Sequence, residues 1–242
     1  MVKPPFGHFD RVEQQELAHI FKDLVFLERE VETAKIEVAL KADFNLMDAF
    51  KMFDIGGRGF ITQRDFAEGL RDSLQFHEFS EQDVYLFFRR NDMGGRGSLN
   101  FHNFSAGILP FSQEYAQLVT DRPDYYLARG CRDTKRFFSG ETRLEFQAFW
   151  RTVFKAERAA EDLRERITKR VYFNMHDAFD FVNRSGSKTL AAIELRDFMA
   201  ENGFYATDRE MRGLIMRLDR DGDGLISFRD FMEELTPKLP MH

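Results

Sequence analysis

The feature that most constrains this 242-residue chain is an acidic segment of twelve residues near its C-terminus, at positions 219–230. Its first, third and fifth positions are occupied by Asp219, Asp221 and Asp223. Gly224 follows, and glycine tolerates the left-handed backbone of a sharp turn. Two residues later comes Ile226, a residue type that favours a short strand. The spacing therefore predicts a loop of defined shape that carries several carboxylates.

This segment, called loop 4 below, resembles the calcium loop of the EF-hand (calmodulin-like) superfamily, which supplies oxygens at positions 1, 3, 5, 7, 9 and 12. The metal ligands that the resemblance implies are Asp219, Asp221, Asp223, the backbone carbonyl of Leu225, Ser227 and Asp230. Position 12 departs from the usual glutamate. Because the Asp230 side chain is one methylene shorter, we expect weaker Ca²⁺ binding and competition by Mg²⁺.

A second candidate, loop 3, lies at positions 183–194 and ends in Glu194, its single charged ligand. At positions 1, 3 and 5 its oxygen-bearing side chains are Asn183, Ser185 and Ser187. Lys188 stands where the family has glycine, and a left-handed backbone there would cost roughly 1–2 kcal/mol. A lysine would also repel an incoming cation. We expect loop 3 to be empty of metal, with a second weak site as the alternative.

Two further segments share the string D-x-G-G-R-G: loop 1 at positions 54–65 and loop 2 at positions 92–103. Both keep the turn glycine, but glycine at position 3 removes a ligand and arginine at position 5 adds a cation. The residues concerned are Gly56 and Arg58 in loop 1, and Gly94 and Arg96 in loop 2. We hypothesise that each guanidinium pairs with the first aspartate of its own loop, Asp54 or Asp92, in place of an ion.

The resemblance implies an all-α fold with two lobes, each a pair of EF-hands whose loops join through short strand pairings. A shift of 129 residues brings F-N-L-M-D-A-F at 44–50 onto F-N-M-H-D-A-F at 173–179. The same shift superimposes three charged residues, Glu28, Arg29 and Glu32, on Glu157, Arg158 and Glu161. The duplicated unit is therefore a long helix plus a loop pair. Domain boundaries are predicted at 10–110 and 139–236, with a helical linker at 111–138.

In each copy the long helix carries an apolar stripe at helical spacing. The stripes consist of Leu17, Ile20, Phe21 and Leu24, and of Phe146, Phe149, Trp150 and Val153. Because such a stripe must be covered, we expect each lobe to hold its own preceding helix in its apolar groove. The alternative is that the stripes bind another protein.

The predicted linker contains a helix-start signal at 120–124, followed by a basic run of Arg129, Arg132, Lys135 and Arg136. A solvated helix face explains this run, and an acidic partner is the alternative.

The overall charge excludes some function classes. With 41 acidic and 35 basic residues the formal net charge is −6, which argues against nucleic-acid binding. The single cysteine, Cys131, cannot form an internal disulfide. The first five residues lack the apolar core of a signal peptide, Val2 excludes myristoylation, and no apolar stretch is long enough to span a bilayer. We expect a soluble cytoplasmic or cytoskeletal protein without membrane contact.

Catalytic motifs are missing from the sequence. Neither a phosphate-binding G-x-x-x-x-G-K-[ST] loop nor an H-E-x-x-H helix occurs, and no Cys-His signature accompanies Cys131. We expect no enzymatic activity, no catalytic residue and no small-molecule substrate.

Two functions compete. Loss of ligands with retention of packing residues favours a structural or adaptor protein. Duplicated, ligand-poor EF-hand proteins with a helix ahead of each pair are similar to EF-hand proteins of cilia and flagella, which implies tubulin and axonemal proteins as partners. The alternative is a calcium sensor that captures an amphipathic helix of an enzyme or channel.

Overall fold

The computed structural model describes residues 9–171 and 173–240. The segment Met1–His8, on which the expectations about a signal peptide and myristoylation depend, lies outside the described residues. Within the part described, helices dominate and the strands form two short antiparallel pairs. The predicted all-α fold with loop–loop strand pairings is confirmed.

The helices fall in two series that follow the duplication. Their bounds are α1 Arg11–Ala39, α2 Leu46–Phe53, α3 Gln63–Glu68, α4 Glu81–Asn91, α5 Phe101–Ile108, α6 Gln113–Thr120, α7 Gly140–Thr168, α8 Met175–Val182, α9 Ala192–Glu201, α10 Asp208–Leu218 and α11 Phe228–Leu235. The strands are β1 Phe60–Thr62, β2 Ser98–Asn100, β3 Thr189–Leu190 and β4 Ile226–Ser227. A π-helical turn at Gly69–Ser73 continues α3, and a 3₁₀ turn spans Thr134–Arg136.

The strand pairings join the loops within each pair. Ile61 lies opposite Leu99 in the β1–β2 pairing, and Leu190 lies opposite Ile226 in the β3–β4 pairing. All four residues are fully buried, because position 8 of each loop faces the core beneath the loops. These contacts are the ones that the sequence predicts.

Contacts among residues divide the chain into two compact units. The terminal unit consists of Met1–Arg29 with Ala159–His242, and the central unit consists of Glu30–Arg158. Both boundaries fall inside the 29-residue helices α1 and α7. The units therefore differ from the sequential boundaries at 10–110 and 139–236, because each long helix is shared between two cores.

The core of the central unit forms around Trp150 of α7, which is fully buried. Its ring lies 5.9 Å from Phe53, 4.9 Å from Phe66 and 5.0 Å from Phe87, measured between ring centroids. These three phenylalanines belong to the first loop pair. The apolar stripe of α7 therefore packs on loops 1 and 2, although α7 precedes loops 3 and 4 in the chain.

The core of the terminal unit repeats this arrangement with α1. Phe21 is fully buried, and its ring centroid lies 6.2 Å from that of Phe198 and 6.1 Å from that of Phe231. Leu17 and Ile20 belong to the same core. The stripe of α1 thus packs on the second loop pair.

The expectation that each lobe holds its own preceding helix is therefore wrong, because the two helices are exchanged. The stripe at Leu17–Leu24 ends 15 residues before the end of α1, about 22 Å along a continuous helix. It cannot fold back onto α2 and the rest of its own pair without breaking α1. The second half of each helix stays with its own pair. Glu32 accepts hydrogen bonds from the backbone of Phe111 and Ser112 at 3.0 and 3.2 Å.

The repeated charges follow the exchange as well. In the terminal unit, Glu28 of α1 binds Arg217 at 2.6 Å. In the central unit, its counterpart Glu157 of α7 binds Arg90 at 2.5 Å. Both arginines lie two residues before the second loop of their pair. The duplication of Glu28 as Glu157 therefore preserves a contact between a stripe helix and the other copy's loop pair.

The predicted helical linker is helical only over α6, which ends at Thr120. The segment read as a helix start at 120–124 instead ends that helix, and irregular chain follows. Pro123 disfavours a helical backbone at Arg122, whose guanidinium bonds the carbonyls of Lys41 and Phe44. In the basic run, Arg136 pairs with Asp133 at 3.2 Å.

Within residues 9–171 and 173–240, none of the helices combines the length and apolar composition that crossing a bilayer requires.

Candidate metal centre

Two capped helices position loop 4. Thr207 and Glu210 form a capping box that starts α10, and Ser227 and Asp230 form another that starts α11. The loop leaves α10 at Asp219 and enters α11 after β4, so both ends are fixed to the core of the terminal unit. Its shape is therefore determined by the fold on both sides.

The carboxylates of Asp219, Asp221 and Asp223 converge, with one oxygen of each within 4.8 Å of the others. The Asp219 oxygens accept hydrogen bonds from the backbone of Gly222 and Gly224, each at 2.8 Å. Both glycines have a left-handed backbone, with φ of 76° and 84°. Among the residues described, this is the only such group of three potential ligands.

Three like charges held this close repel one another unless a cation lies between them. Oxygen-rich groups of this kind are what Ca²⁺ and Mg²⁺ prefer in proteins, so the donor set fits a hard divalent cation. The three aspartates are only partly buried or exposed, which leaves an ion a path to them.

Asp230 does not belong to this group of carboxylates. An Asp230 oxygen accepts hydrogen bonds from the backbone and the hydroxyl of Ser227, and Ser227 Oγ accepts one from the Asp230 backbone at 3.2 Å. Asp230 is 7% exposed. The Asp230 carboxylate, which the sequence predicts to reach an ion with difficulty, forms part of the cap of α11 in this structure.

Comparisons with known proteins agree with the loop geometry. A rice protein, "Probable calcium-binding protein CML11", is 27% identical over 191 residues, covering 79% of this chain and 65% of the rice protein. Human Centrin-1 is 40% identical over 65 residues, 27% of this chain and 38% of centrin, and "Troponin C, isoform 2" of Caenorhabditis elegans is 23% identical over 187 residues, 77% of this chain and 84% of that protein. These relatives support the EF-hand superfamily for this chain.

No family model matches the chain. The chain covers less than two thirds of the rice protein and of human Centrin-1. The EF-hand assignment therefore rests on these relatives together with the paired loops.

EF-hand loop 3 is closed by its own hydrogen bonds. Glu194 is long enough to accept from the backbone of Ser185 with one oxygen and from that of Ala191 with the other, both at 2.9 Å. Burial alone would raise the pKa of Glu194, but these hydrogen bonds hold it below its usual value. Lys188 lacks the left-handed backbone expected there, and the loop turns at Gly186, with φ of 64°. The strain predicted for Lys188 is therefore avoided by a different loop shape.

EF-hand loop 1 carries an internal ion pair, but not the predicted one. Arg58 pairs with Asp65 at position 12, whereas Asp54 pairs with Lys51 at 3.0 Å. Asp54 also accepts from the backbone of Arg58 and Gly59 at 2.8 and 3.0 Å, so its oxygens are already occupied. A side-chain Cβ on Gly56 would lie 3.2 Å from Arg58 Nε. Glycine at position 3 thus gives the guanidinium its route to Asp65.

The pKa values of both loop 1 aspartates are lowered. Burial alone would raise the pKa of Asp54, but the hydrogen bonds from Lys51, Gly59 and Arg58 hold it below its usual value. The same holds for the pKa of Asp65, where burial is outweighed by Thr62 and Arg58. Both groups are therefore stabilised as carboxylates by protein cations and amides.

EF-hand loop 2 has no charge at position 12, where Asn103 stands. Asp92 accepts from the backbone of Gly97 at 2.6 Å. Within the described residues, Arg96 forms no ion pair with Asp92, so the hypothesis is wrong here too. The guanidinium has no position-12 carboxylate to reach.

A buried network of charged side chains lies beside loop 4, and it was not predicted from the sequence. Arg217, whose side chain is fully buried, bonds Glu28 at 2.6 Å and Glu234 at 2.7 Å. Glu234 also bonds Arg164 at 2.7 Å. The network joins the two helices that flank loop 4 to α1 and α7. The duplication of Glu28 was the available signal, but it did not identify the partner.

Proposed function

We propose that this chain is a non-enzymatic EF-hand protein that holds one divalent cation in loop 4 and acts as a structural or adaptor component. The observation that carries the adaptor role is the filling of both apolar grooves. Phe21 occupies the core of the second loop pair and Trp150 that of the first, both fully buried. A lobe whose groove already holds a helix has no free groove for a target helix.

The choice of cation is supported by the donor set and by relatives. Loop 4 gathers three carboxylates, and proteins similar to this chain are named for calcium binding. Ca²⁺ is therefore the proposed ligand. Mg²⁺ is proposed as its competitor because the short carboxylate of Asp230 suits a smaller coordination shell. The proposed ligand set is Asp219, Asp221, Asp223, the Leu225 carbonyl, Ser227 and Asp230.

Calorimetric titration with Ca²⁺ tests the site. We expect one site in the unmodified chain and none in Asp219→Asn. The matched control is Asp54→Asn, which alters position 1 of loop 1 and should leave the titration unchanged. Two or more sites, or undiminished binding by Asp219→Asn, would contradict a single site in loop 4.

The adaptor role is tested separately by hydrophobic-dye fluorescence and circular dichroism with Ca²⁺ and with a chelator. Since both grooves hold helices of this chain, dye binding should be the same in the two conditions. A large Ca²⁺-dependent increase in dye binding would instead favour the sensor that captures a target helix.

For the partners we propose tubulin and neighbouring axonemal proteins of cilia or flagella. Support comes from the resemblance of the duplicated, ligand-poor EF-hand pairs to axonemal EF-hand proteins. Co-sedimentation with doublet microtubules is the direct measurement. The protein should pellet with them in chelator as well as in Ca²⁺, and its absence from both pellets would exclude this placement.

A further inference from the structure

A buried carboxylate in the central unit holds a segment of chain by its backbone. Asp48, in the first turn of α2, is fully buried. It accepts hydrogen bonds from the backbone of Tyr125, Tyr126 and Leu127 at 2.9, 3.0 and 3.2 Å. The Asn45 side-chain amide donates a further hydrogen bond at 2.6 Å. The charge of Asp48 is therefore balanced by donors alone, three of them successive backbone amides.

The same segment is held at a second point. The Arg122 guanidinium donates to the carbonyls of Lys41 and Phe44 at 2.6 and 3.0 Å, in the turn that precedes α2. Segment 122–127 thus binds in two ways. Its arginine side chain donates to backbone carbonyls, and its backbone amides donate to a carboxylate. Most of this recognition depends on backbone groups of the bound segment.

The duplication repeats this surface in the terminal unit. The turn before α8 has the same backbone bonds: Arg170 N donates to Ile167 O at 3.2 Å, and Phe173 N to Arg170 O at 3.3 Å. Asn174 caps α8 by accepting from the backbone of Asp177 at 3.3 Å, as Asn45 caps α2 by accepting from that of Asp48 at 2.8 Å. Asp177 therefore occupies the position of Asp48.

The two surfaces differ in what covers them. Asn45 and Asp48 are buried, whereas Asn174 is exposed and Asp177 only half-buried. Within residues 9–171 and 173–240, the structure shows no hydrogen bond or ion pair to the Asp177 carboxylate. The terminal unit thus repeats the acceptors of the central unit without the donors.

We propose that this surface, the carbonyls of Arg170 and Phe173 with the Asp177 carboxylate, binds a segment of a partner protein. The segment carries an arginine followed three residues later by a turn with three free backbone amides. Charge complementarity selects this chemistry, because two carbonyl oxygens and a carboxylate accept hydrogen bonds from an arginine and from backbone amides. A second copy of this chain is a poorer occupant, since its own Asp48 already binds its segment 122–127. The inference does not depend on metal binding by loop 4.

A peptide with the sequence T-D-R-P-D-Y-Y-L-A-R, that of residues 120–129, is the probe. Titrated into the full chain, it should shift the backbone amide resonances of Met175–Phe179. Asp177→Asn should weaken binding about tenfold, the loss of a charge-assisted hydrogen-bond set. The matched control Asp180→Asn changes an exposed carboxylate on the same helix and should leave the affinity unchanged.

A second variant leaves the protein intact: the peptide with the arginine of position 122 changed to alanine, and that of position 129 kept, should also bind about tenfold more weakly. The proposal is overturned if millimolar peptide causes no shift, or if Asp177→Asn binds it as tightly as the unmodified chain. It is equally overturned if the shifts fall on Leu46–Phe50, which would place the peptide at the central-unit surface instead.

Discussion

At the scale of single residues, loop 1 pairs a protein cation with the carboxylate at its last position. Gly56 at position 3 leaves room for Arg58, and the guanidinium pairs with Asp65, the position-12 carboxylate. The loop stays closed because Lys51 and backbone amides bind Asp54. The sequence predicted an ion pair for Arg58 but named the wrong partner, since the choice between the two aspartates depends on which oxygens the backbone already occupies.

The first prediction concerns acid stability. Asp54 and Asp65 have pKa values below their usual range in the folded state, so the unfolded chain binds more protons as the pH falls. Their contribution to stability is present above about pH 4, the unfolded-state pKa, and is lost as the pH falls through the folded-state pKa values. Trp150 fluorescence during thermal unfolding at pH 7 to 3 measures it. Asp65→Asn should flatten the pH dependence, and an unchanged slope would contradict the assignment.

The second prediction concerns Tyr126. Burial and the neighbouring carboxylate of Asp43, to which its hydroxyl donates at 3.2 Å, raise the pKa of Tyr126 to about 12. Absorbance titration at alkaline pH should show one tyrosine ionising late, and Tyr126→Phe should remove that step. Tyr205→Phe is the control, because Tyr205 is 80% exposed and its removal should leave the late step in place. Stability from the half-buried phenol of Tyr126 is present below about pH 10 and is lost between about pH 10 and 12.

At the scale of elements, helical spacing predicted the apolar stripes of α1 and α7 but not what covers them. A stripe such as Leu17–Leu24 specifies that an apolar surface must pack on it, and both loop pairs offer one. The choice follows from helix length, since an unbroken α1 carries its stripe away from α2. The choice between the two loop pairs therefore depends on how far the helix extends. The charged stretch after the stripe did not reveal that extent in the sequence.

The third prediction concerns the charge network beside loop 4. Arg217→Met leaves Glu28 and Glu234 without that cation in a buried site, and such losses cost about 3–5 kcal/mol. The control is Arg196→Met, whose partner Asp208 has a side chain 92% exposed, with an expected cost below about 1 kcal/mol. Urea unfolding measures both. Equal costs would show that the network contributes no more than a surface ion pair.

At the scale of the whole molecule, the EF-hand loops and their strand pairings could be predicted because each is encoded by local spacing. The position-8 contacts of Ile61 with Leu99 and of Leu190 with Ile226 follow from that spacing alone. The division of the chain into a terminal unit and a central unit could not be predicted from local spacing. It depends on contacts between residues more than 100 positions apart, such as Glu28 with Arg217. The irregular part of the linker after α6 was not predicted either. Its backbone amides at Tyr125 and Tyr126 donate to the Asp48 carboxylate and not to carbonyls within a helix.

The exchange of helices makes the last prediction. Phe21→Ala opens a cavity in the terminal unit and Trp150→Ala one in the central unit, each at about 3–5 kcal/mol. Amide hydrogen exchange measures the effect. Phe21→Ala should lower protection in α8–α11 and leave that of α2–α5 unchanged, whereas Trp150→Ala should lower protection in α2–α5 and leave that of α8–α11 unchanged.

Val12→Ala and Leu144→Ala change residues 57% and 66% exposed on the same two helices, so neither should alter protection in the loop pairs. If each helix instead served the pair that follows it, Phe21→Ala would loosen α2–α5 first. The direction of the loss therefore distinguishes exchanged from sequential packing whatever the size of either effect, because both variants remove a fully buried ring from an equivalent stripe.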